Sequence, residues 1–552
     1  MEKLKINLEG KKEVLIEKGK TLRDILENIH VENKFPIVLG EMNGKVYELN
    51  SPIVEEGQLE FIDLGSDTGN RAYIRTLQFI LIKATLEEFP GANISIQHSL
   101  SKGLYCEISK GKILTEKELE KIKARMKEII YKDMPIKEEY FTKEETMEML
   151  KKYNMNDRIK LLSNLQLDKI KLYELDGVYE YFYGPMGEST GIIREFDLMY
   201  YEPGFILRYP TKEEPDRLPV FLEHRKLANI FRETEIWGDI LEVPNVGSLN
   251  EKVNSGEIID IIRVSEALHE KKAANIADII KDRENIRLIL IAGPSSSGKT
   301  TFARRLAIQL RVNGLIPIPI GLDDYFVERD DTPKDENGEY DFESIHAVDL
   351  ELFNEHLTRI LKGEEVHIPK YNFITGKRDW NGTKVKLPLN GILIVEGIHG
   401  LNNLLTSSIA DENKFKVYIS ALTQLNLDNH NRIATTDVRM IRRIVRDNMS
   451  RGYSAEETLK MWPSIRRGEE KNIFVFQENA DIMFNSTLVY ELCVLKKFAL
   501  RELQKIEPTS PVYLEAYRLK SILNFFKEVD TSHIPENSIL REFIGGSWFH
   551  DH

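Results

Sequence analysis

The sequence predicts a multidomain chain whose largest unit, residues 286–485, is an α/β domain with a parallel sheet. The chain has 552 residues, and at roughly 100–200 residues per domain this length predicts about three or four domains. Within 286–485, short apolar runs typical of buried strands alternate with amphipathic stretches at helical spacing. Upstream, strand alternation and turn signals predict a β-grasp domain over 1–65 and an α+β domain over 66–220.

Residues 1–65 have the pattern of a hairpin, a helix and further strands. Apolar residues alternate with polar ones on both sides of a Glu9-Gly10 turn, at Leu4, Ile6, Leu8, Val14 and Ile16. Thr21 and Asp24 have the spacing of a capping box. The helix that follows has its apolar positions at Leu22, Ile25, Leu26 and Ile29. Asn43-Gly44 is a strong hairpin turn, so this order of elements predicts a β-grasp arrangement.

The remaining segments show helical spacing together with short strand patterns. In 66–220, helical spacing is seen at Ile74, Leu77, Ile80, Leu81 and Ala84. Further charged amphipathic helices are predicted over 115–131 and 143–162, followed by short strands. Residues 221–285 are predicted to be a connector with one helix over 264–281, and residues 486–552 a helical extension.

The composition limits the classes of function. The net charge is −13, so binding of nucleic acid through bulk charge is not expected, and we predict no DNA partner. Two cysteines cannot form a disulfide framework or, by themselves, a zinc site. No signal peptide and no apolar run near the length of a membrane span is recognisable, so we expect a cytoplasmic protein with no membrane partner.

The strongest motif is the glycine-rich segment 293–300, which matches G-x-x-x-x-G-K-T. It consists of Gly293, Pro294, Ser295, Ser296, Ser297, Gly298, Lys299 and Thr300, and we predict that these residues and Thr301 bind ATP. An apolar strand over 287–292 precedes the loop, and an amphipathic helix over 300–312 follows it. Glycines let backbone N–H groups curl around phosphate oxygens, Lys299 would reach the β- and γ-phosphates, and the Thr300 hydroxyl would bind Mg²⁺.

Two carboxylates follow the other predicted strands of this domain. Asp323 and Asp324 come after an apolar run through Ile320, and Glu396 directly follows the run 391–395. In parallel sheets the carboxyl ends of the strands face the ligand crevice. An aspartate there can deprotonate an attacking hydroxyl, and Glu396 fits a carboxylate on the Mg²⁺ side. The alternatives are a helix cap or turn for Asp323 and a surface acid for Glu396.

Arginines cluster downstream at helical spacing. They are Arg439, Arg442, Arg443 and Arg446, with Arg451 close behind. Phosphoryl transfer needs cations on the migrating charge. An arginine-rich helix is often only a solvated face, but after a phosphate-binding loop in an acidic chain we favour the functional interpretation.

With these residues in hand, 286–485 resembles the uridine/cytidine kinase and phosphoribulokinase family. The segments that carry the resemblance are 293–300, 323–326, 342–343, 368–373, 395–398, 442–447 and 451–452. The resemblance implies Asp323 as the catalytic base, Lys299 and Arg446 as further catalytic residues, and Arg443 and Arg451 over ATP. It implies substrate contacts at Asp324, Tyr325, Glu343, Tyr371 and Phe373, and Mg²⁺ at Thr300 and Glu396.

Three positions depart from the family pattern, all on the substrate side. A histidine that reads the base edge falls at Gly376, a glutamine that contacts the base falls near Met461, and an arginine after the lid falls at Tyr453. Since partners for a base edge decide discrimination by orders of magnitude, the resemblance implies the reaction more firmly than the nucleobase.

The N-terminal half resembles other proteins. Residues 1–65 are similar to a TGS domain, and 66–220 to the second, editing domain of threonyl-tRNA synthetase. The similarity rests on the helix 75–89 and on 181–186 followed by 189–191. The positions of the metal-type residues hold Arg75, Phe79, Phe182 and Met186, and zinc or nucleophilic chemistry needs imidazole or thiolate. We therefore expect no editing hydrolysis there, and either binding of RNA, a small molecule or a partner, or packing and oligomerisation.

These observations predict an ATP- and Mg²⁺-dependent kinase that transfers the γ-phosphoryl group to the 5′-hydroxyl of a nucleoside, with uridine or cytidine expected. The first alternative is a P-loop kinase with another small hydroxyl substrate. The second is a nucleotide-gated RNA-binding regulator, although residues 1–65 carry more acidic than basic residues. A homo-oligomer is compatible with either.

Overall fold

The computed structural model describes residues 2–8, 13–28, 33–153, 155–165, 167–334, 338, 340–372, 375–380, 382–423 and 425–549. The predicted turn at Glu9-Gly10, the helix position Ile29 and the predicted substrate contact Phe373 lie outside these residues. Among the described residues, no helix is long and apolar enough to span a membrane.

The first sheet is a mixed five-stranded sheet crossed by one helix, as the β-grasp prediction requires. Its elements are β1 Lys3–Leu8, β2 Glu13–Glu17, α1 Leu22–Asn28, β3 Ile37–Met42, β4 Lys45–Glu48 and β5 Gly57–Asp63. The order is β2-β1-β5-β3-β4, with β1 and β5 parallel and the other pairs antiparallel. Asn43 and Gly44 both have positive φ, 52° and 75°, as a tight hairpin turn demands.

The second part packs helices on two antiparallel sheets. One sheet has the order β11-β12-β7-β6 and the other β10-β9-β8. The strands are β6 Asn93–Leu100, β7 Gly103–Ser109, β8 Lys137–Thr142, β9 Lys169–Leu175, β10 Val178–Glu180, β11 Asp197–Tyr201 and β12 Gly204–Arg208. The helices are α2 Asp67–Glu88, α3 Glu116–Tyr131, α4 Lys143–Lys152 and α5 Asn156–Ser163.

The single helix expected over 143–162 is therefore wrong, because α4 and α5 are separate helices. Met155, which precedes α5, has the non-helical angles φ −85° and ψ 63°. The break lets Leu150 of α4 and Leu161 of α5 both enter one core, where each is almost fully buried.

The predicted connector is a layer of three packed helices. They are α6 Arg225–Leu241, α7 Val246–Ser255 and α8 Ile258–Asp282. The helix expected over 264–281 starts earlier, at Ile258, because Ile258, Ile261 and Ile262 are buried. Buried Arg305 of the next helix along the chain pairs with Glu266 and Glu270, which joins this layer to the domain that follows.

The third part contains an all-parallel five-stranded sheet of order β14-β19-β13-β20-β21. These strands are β13 Leu288–Ala292, β14 Ile316–Gly321, β19 Gly391–Glu396, β20 Lys414–Ser420 and β21 Ile482–Asn485. Two small hairpins comprise β15 Val366–His367, β16 Lys370–Asn372, β17 Lys377–Asp379 and β18 Lys384–Val385. The helices are α9 Lys299–Val312, α10 Leu350–Leu361, α11 Thr435–Arg446 and α12 Ala455–Asn472.

The parallel sheet is buried on both faces, which explains its continuous apolar strands. Ile289 and Ile291 pack with Phe302 of α9 on one face, and Leu288 and Leu290 pack with Phe353 of α10 on the other. The chain ends with α13 Glu491–Leu503, α14 Tyr513–Asn524 and α15 Arg541–Ile544. One continuous apolar core extends from α4 through the helical layer and the sheet to α15.

Candidate active site

The glycine-rich loop connects β13 to α9 at the carboxyl edge of the parallel sheet. Ser296 and Gly298 have positive φ, 60° and 83°, so the chain curls before α9 begins. At Gly293 a Cβ atom would lie 1.9 Å from the carbonyl oxygen of Ile419, so only glycine fits against β20. The loop thus directs the N–H groups at the start of α9, which have no acceptor within the helix, towards the place where an anion can bind.

The predicted catalytic and metal residues meet around Lys299. The Thr300 hydroxyl donates to Glu396 Oε1 at 3.0 Å, which brings the ends of β13 and β19 together. Lys299 Nζ donates to the carbonyl oxygen of Pro294 at 3.1 Å and interacts electrostatically with Glu396 and Asp323. Asp323 follows β14, so three neighbouring strand ends supply the site.

The ionisable groups of this cleft are perturbed by desolvation. Burial raises the pKa of Glu396 to about 7, against the opposing effect of Lys299. Burial also raises the pKa of Asp323, although Lys299, Arg451 and Arg446 favour its charged form, and lowers the pKa of Lys299. The Asp323 side chain is open to the cleft, so this desolvation comes from the surrounding walls. A raised aspartate pKa suits a general base.

The structure divides the arginine cluster into two groups. Arg439 and Arg442 are fully buried, paired with Glu469 and Glu491, and donate to the carbonyl oxygens of Ser295 and Ser296. They hold the loop from behind and do not face the cleft. Helical spacing could not reveal this division.

The second group comprises Arg443, Arg446 and Arg451, which surround the buried carboxylate of Asp447. Arg443 also donates to the Ser295 hydroxyl at 2.7 Å. Burial lowers the pKa of Arg451 to about 10, and Arg446 and Arg451 lie close enough to Asp323 to favour its charged form. Arg446 and Arg451 therefore lie on the side of the cleft where Asp323 is, and Arg443 lies against the loop.

On the acceptor side the predicted residues separate. Asp324 Oδ1 accepts from the backbone N–H of Tyr371 at 3.2 Å, so these two lie together. Tyr325 is fully buried, with its hydroxyl 3.0 Å from His356 Nδ1, so its ring belongs to the core. Burial raises the pKa of Glu343 to about 7, and its Oε2 atom has no hydrogen-bond partner among the described residues.

The three positions that depart from the family pattern differ in their surroundings. At Gly376, φ is 70° and a Cβ atom would lie 2.7 Å from Arg329 Cβ, so a side chain there would need this segment to move. Met461 is partly buried against the core, and Tyr453 is exposed.

Two site residues were missed by sequence reasoning. Glu469 of α12 accepts from the Ser295 N–H at 3.0 Å, and Glu542 of α15 accepts from the Thr301 hydroxyl at 2.9 Å and its N–H at 3.4 Å. Neither belongs to a recognisable motif, and Glu542 is far from the loop along the chain. Asp447 was not predicted either. It is adjacent to Arg446 in the segment 442–447, which carries the family resemblance, and that segment was the one available signal for it.

The residues present fit a magnesium ion bound with a nucleotide. Mg²⁺ prefers oxygen ligands and usually takes one or two protein groups besides phosphates and water. Thr300 and Glu396 provide such a pair, and a cation beside the desolvated Glu396 carboxylate would favour its charged form. No cluster of three or more metal-binding side chains is found in the described part of the chain.

The positions that carry metal ligands in the synthetase resemblance also meet in space. Phe79 and Phe182 have ring centroids 5.7 Å apart, and Met186 is fully buried beside them in the same core. Arg75 donates to the carbonyl oxygen of Pro185 at 2.9 Å and lies over the Tyr183 ring. Apolar packing and one buried cation fill this place.

Comparison with known proteins agrees with both halves of this description. Residues 288–491 match the phosphoribulokinase / uridine kinase family. The N-terminal region matches threonine–tRNA ligases, with 26% identity over 194 residues for Rubrobacter xylanophilus and 30% over 203 residues for Aquifex aeolicus. These alignments cover 35% and 36% of this chain but 30% and 31% of the ligases, so the chain spans under a third of those relatives.

Two solved structures are similar to a part of this chain. One is described as a possible uridine kinase from Bacillus stearothermophilus, with 23% identity, 36% of this chain and 89% of that chain covered, and a TM-score of 0.24. The other is the YGR205w protein, with 18% identity, coverage of 35% and 80%, and a TM-score of 0.24. Because both scores are low, the assignment rests on the strand order, the loop and the family match.

The C-terminal part of the chain therefore carries a P-loop kinase fold of the phosphoribulokinase and uridine kinase type. The N-terminal region resembles threonyl-tRNA synthetase domains. The predicted domain boundaries at 65, 220, 285 and 485 stay predictions.

Proposed function

We propose that this chain is an ATP-dependent nucleoside kinase that phosphorylates the 5′-hydroxyl of uridine or cytidine. One observation carries the proposal: Asp323, Lys299, Thr300 and Glu396 converge at three neighbouring strand ends, with Arg446 and Arg451 near Asp323 and Arg443 bonded to the loop. A base, a phosphate-binding loop and cations in one desolvated cleft are what phosphoryl transfer to an alcohol requires.

In the proposed reaction, the loop N–H groups and Lys299 hold the phosphates of ATP. Asp323 accepts the proton of the acceptor hydroxyl as its oxygen attacks the γ-phosphorus, and ADP leaves. Arg443, Arg446 and Arg451 stabilise the charge on the transferring group. Thr300 and Glu396 would hold Mg²⁺, which neutralises phosphate charge when it is bound.

The site supports the identity of the acceptor less specifically than it supports phosphoryl transfer. Asp324, Glu343 and Tyr371 stay as proposed substrate contacts, and Tyr325 is better explained as a core residue. Since Gly376, Met461 and Tyr453 depart from the family pattern on the substrate side, another nucleoside or a sugar is the competing acceptor class. An ADP-release assay with a panel of nucleosides and sugars separates these two.

The same assay tests the catalytic roles. We expect Asp323→Asn to lower kcat with the best acceptor by about 10²–10⁴-fold, the usual contribution of a general base. Asp331→Asn, an exposed acid on the segment that follows, is the matched control and should retain turnover. Near-normal kcat of Asp323→Asn would exclude its role as base. ADP release with no acceptor in the panel, together with ATP-dependent RNA retention at low salt, would favour the RNA-binding regulator instead.

A further inference from the structure

A cavity of about 240 Å³ lies where the synthetase-like part, the helical layer and the kinase part meet. Its wall is formed by β6 at Ser95–Gln97, by α6 and α8, by the loop 425–429, and by 487–489 after β21. None of the phosphate-binding residues or the proposed acceptor contacts lines it. It is therefore a separate place from the kinase cleft.

The charged groups of the wall are all acidic. Its described lining contains Glu235, Asp239 and Asp428 and no lysine or arginine. Asp428 is already engaged, because it accepts from the backbone N–H groups of His430 and Asn431 at 2.8 Å. Glu235 and Asp239 are exposed at the rim. Burial together with Glu107 and Asp239 raises the pKa of Glu235, against the opposing effects of a hydrogen bond with Gln97 and of the Arg232 charge. A cation at the rim would relieve this repulsion.

Two nearly buried side chains in the wall each have a polar atom without a hydrogen-bond partner. Ser265 and His269 are 4% and 1% exposed, and neither Ser265 Oγ nor His269 Nδ1 has a hydrogen-bond partner among the described residues. His269 Nε2 lies 3.2 Å from the carbonyl oxygen of Thr487, which can only accept. Nε2 therefore carries the proton, and because burial lowers the pKa of His269 well below its usual value, Nδ1 is a pure acceptor. This part of the wall therefore contains an unsatisfied acceptor, which a hydrogen-bond donor would satisfy.

The rest of the wall is suited to an apolar body. Trp237 is half-buried with its ring centroid 5.7 Å from that of His269, and Leu241, Val243 and Leu268 complete this side. The cavity is smaller than the usual range of drug-sized sites, which starts near ~300 Å³. An aromatic face beside carboxylates is a favourable setting for an ammonium group.

We propose that this cavity binds a small primary amine with an aromatic or branched apolar body. The ammonium group would lie between Glu235 and Asp239, and the body would pack against Trp237. The carboxylates of the wall would repel a phosphate or nucleotide, so the wall argues against an anionic ligand.

Occupancy of the cavity is positioned to affect the phosphate-binding loop, and this part rests on the proposed function. Thr487, whose carbonyl accepts from His269, follows Ser486 in the chain. Arg442 Nη2 donates to the Ser486 carbonyl oxygen at 2.8 Å, and Nη1 of the same arginine lies 3.3 Å from the carbonyl oxygen of Ser296 in the loop. One buried side chain therefore joins the cavity wall to the nucleotide site.

Binding is tested on the full chain by calorimetric titration with tyramine and isopentylamine. Their neutral counterparts, tyrosol and isopentanol, have a hydroxyl in place of the amine, and inorganic phosphate serves as the anion. We expect the amines to bind and the alcohols and phosphate to bind at least tenfold more weakly. Equal binding of amine and alcohol, or binding of neither amine, would overturn the proposal.

Variants locate the site without unfolding the protein. Glu235→Gln with Asp239→Asn changes two exposed rim residues and should weaken amine binding at least tenfold, whereas Glu223→Gln, exposed just before α6, should not. Trp237→Leu should also weaken it. Unchanged amine affinity in the double variant would refute this site.

The coupling is tested by titrating ADP with and without saturating tyramine, since linkage requires that tyramine and ADP change each other's affinity by the same factor. A shift of at least fivefold is expected, and Arg442→Lys should reduce it. Unchanged ADP affinity would overturn the coupling. Because ADP binding is measured without an acceptor, this result does not depend on the identity of the phosphorylated substrate.

Discussion

At the scale of single residues, Glu542 is the group whose position has the clearest consequence for ATP. Its carboxylate accepts from the hydroxyl and N–H of Thr301 in the first turn of α9. Helix N-terminal N–H groups of this kind are where a P-loop binds phosphate oxygens. The carboxylate of α15 therefore stands where an anionic ligand is expected, and nucleotide must displace it or bind beside it.

We predict that Glu542→Gln binds ADP about tenfold more tightly than the unmodified chain. The loss of one negative charge removes competition worth ~1.4 kcal/mol, at the low end of the range for hydrogen bonds to charged groups. Calorimetric titration with ADP measures it. The control is Glu536→Gln, an exposed residue of the same terminal segment. Equal affinity of all three proteins would show that the carboxylate and the nucleotide do not compete.

The raised pKa of Glu343 makes the free energy of unfolding of the chain depend on pH. Burial raises its pKa from 4.5 to about 7, so between these values the folded state binds more protons than the unfolded state. The free energy of unfolding therefore falls as the pH rises from about 4.5 to about 7. Glu396 adds a contribution of the same sign.

We predict that Glu343→Gln flattens this decline, because an amide does not ionise. The measurement is Tm across that pH range for the unmodified chain, for Glu343→Gln and for the exposed control Glu328→Gln. The control should follow the unmodified chain. A pH dependence of Glu343→Gln that matches the control would mean that Glu343 is solvated in the folded state.

At the scale of elements, local patterns predicted much of the fold because they depend on neighbours in the chain. The hairpin at Asn43-Gly44, the helix expected over 115–131 and the strand–loop–helix around 288–312 all follow from spacing within a few residues. The break between α4 and α5 did not, since it depends on Leu150 and Leu161 meeting one core. The pattern of charged and apolar residues over 143–162 fits one uninterrupted helix, so it contains no signal for the break.

The candidate site shows the same division. Lys299 and Thr300 were predictable because one segment contains them, and Asp323 and Glu396 because strand ends of a parallel sheet converge. The separation of Arg439 and Arg442 from Arg443 and Arg446 required the positions of Glu469 and Glu491 on other helices. Spacing along α11 places all four on a helix but does not say which side meets a buried acid.

Helix α11 is anchored at its start by a buried network that joins three parts of the chain. Arg518 of α14 pairs with Asp437 of α11 and with Glu515, and Glu515 pairs with Arg71 of α2. These contacts position the helix that carries Arg443 and Arg446. The synthetase-like part therefore supports the kinase cleft through α14.

We predict that Arg518→Met lowers the free energy of unfolding by about 3–5 kcal/mol, because it leaves Asp437 buried without its cation. ATP affinity should also fall, since α11 loses its anchor. Denaturant unfolding and nucleotide titration measure the two effects. Arg501→Met on α13, whose side chain is 81% exposed, should change neither. A stable Arg518→Met with weakened ATP binding would assign the network to positioning alone.

At the scale of the whole molecule, the synthetase-like part is hydrogen-bonded to the loop 425–431, which leads into α11. The carbonyl oxygen of Asn429 accepts from the Ile96 N–H at 2.8 Å, and Asn426 donates to the Ile96 carbonyl oxygen at 2.9 Å. Arg158 of α5 is buried with Glu180 and contacts His430. Residues more than 250 positions apart meet here, so no local pattern could predict the contact, although the two halves were each recognisable by resemblance.

This arrangement predicts that the chain unfolds as one unit, with Arg158 at its centre. The apolar core is continuous from α4 to α15, and Glu180 has a pKa lowered to about 2, against the penalty of burial, by Arg158 and then His430. Replacing Arg158 with Met leaves Glu180 buried with His430 alone, which should cost about 3–5 kcal/mol. The loss falls on the junction, so the halves should then unfold separately.

Scanning calorimetry distinguishes the possibilities, since a cooperative unit gives a calorimetric enthalpy equal to the van't Hoff enthalpy. We expect one transition for the unmodified chain and for Arg217→Met, whose ion pair with Glu214 is exposed. Arg158→Met should show two transitions, of which ADP raises the one that contains the phosphate-binding loop. Two transitions in the unmodified chain would mean that the junction does not couple the halves. A single lowered transition in Arg158→Met would mean that the apolar core alone is sufficient to join them.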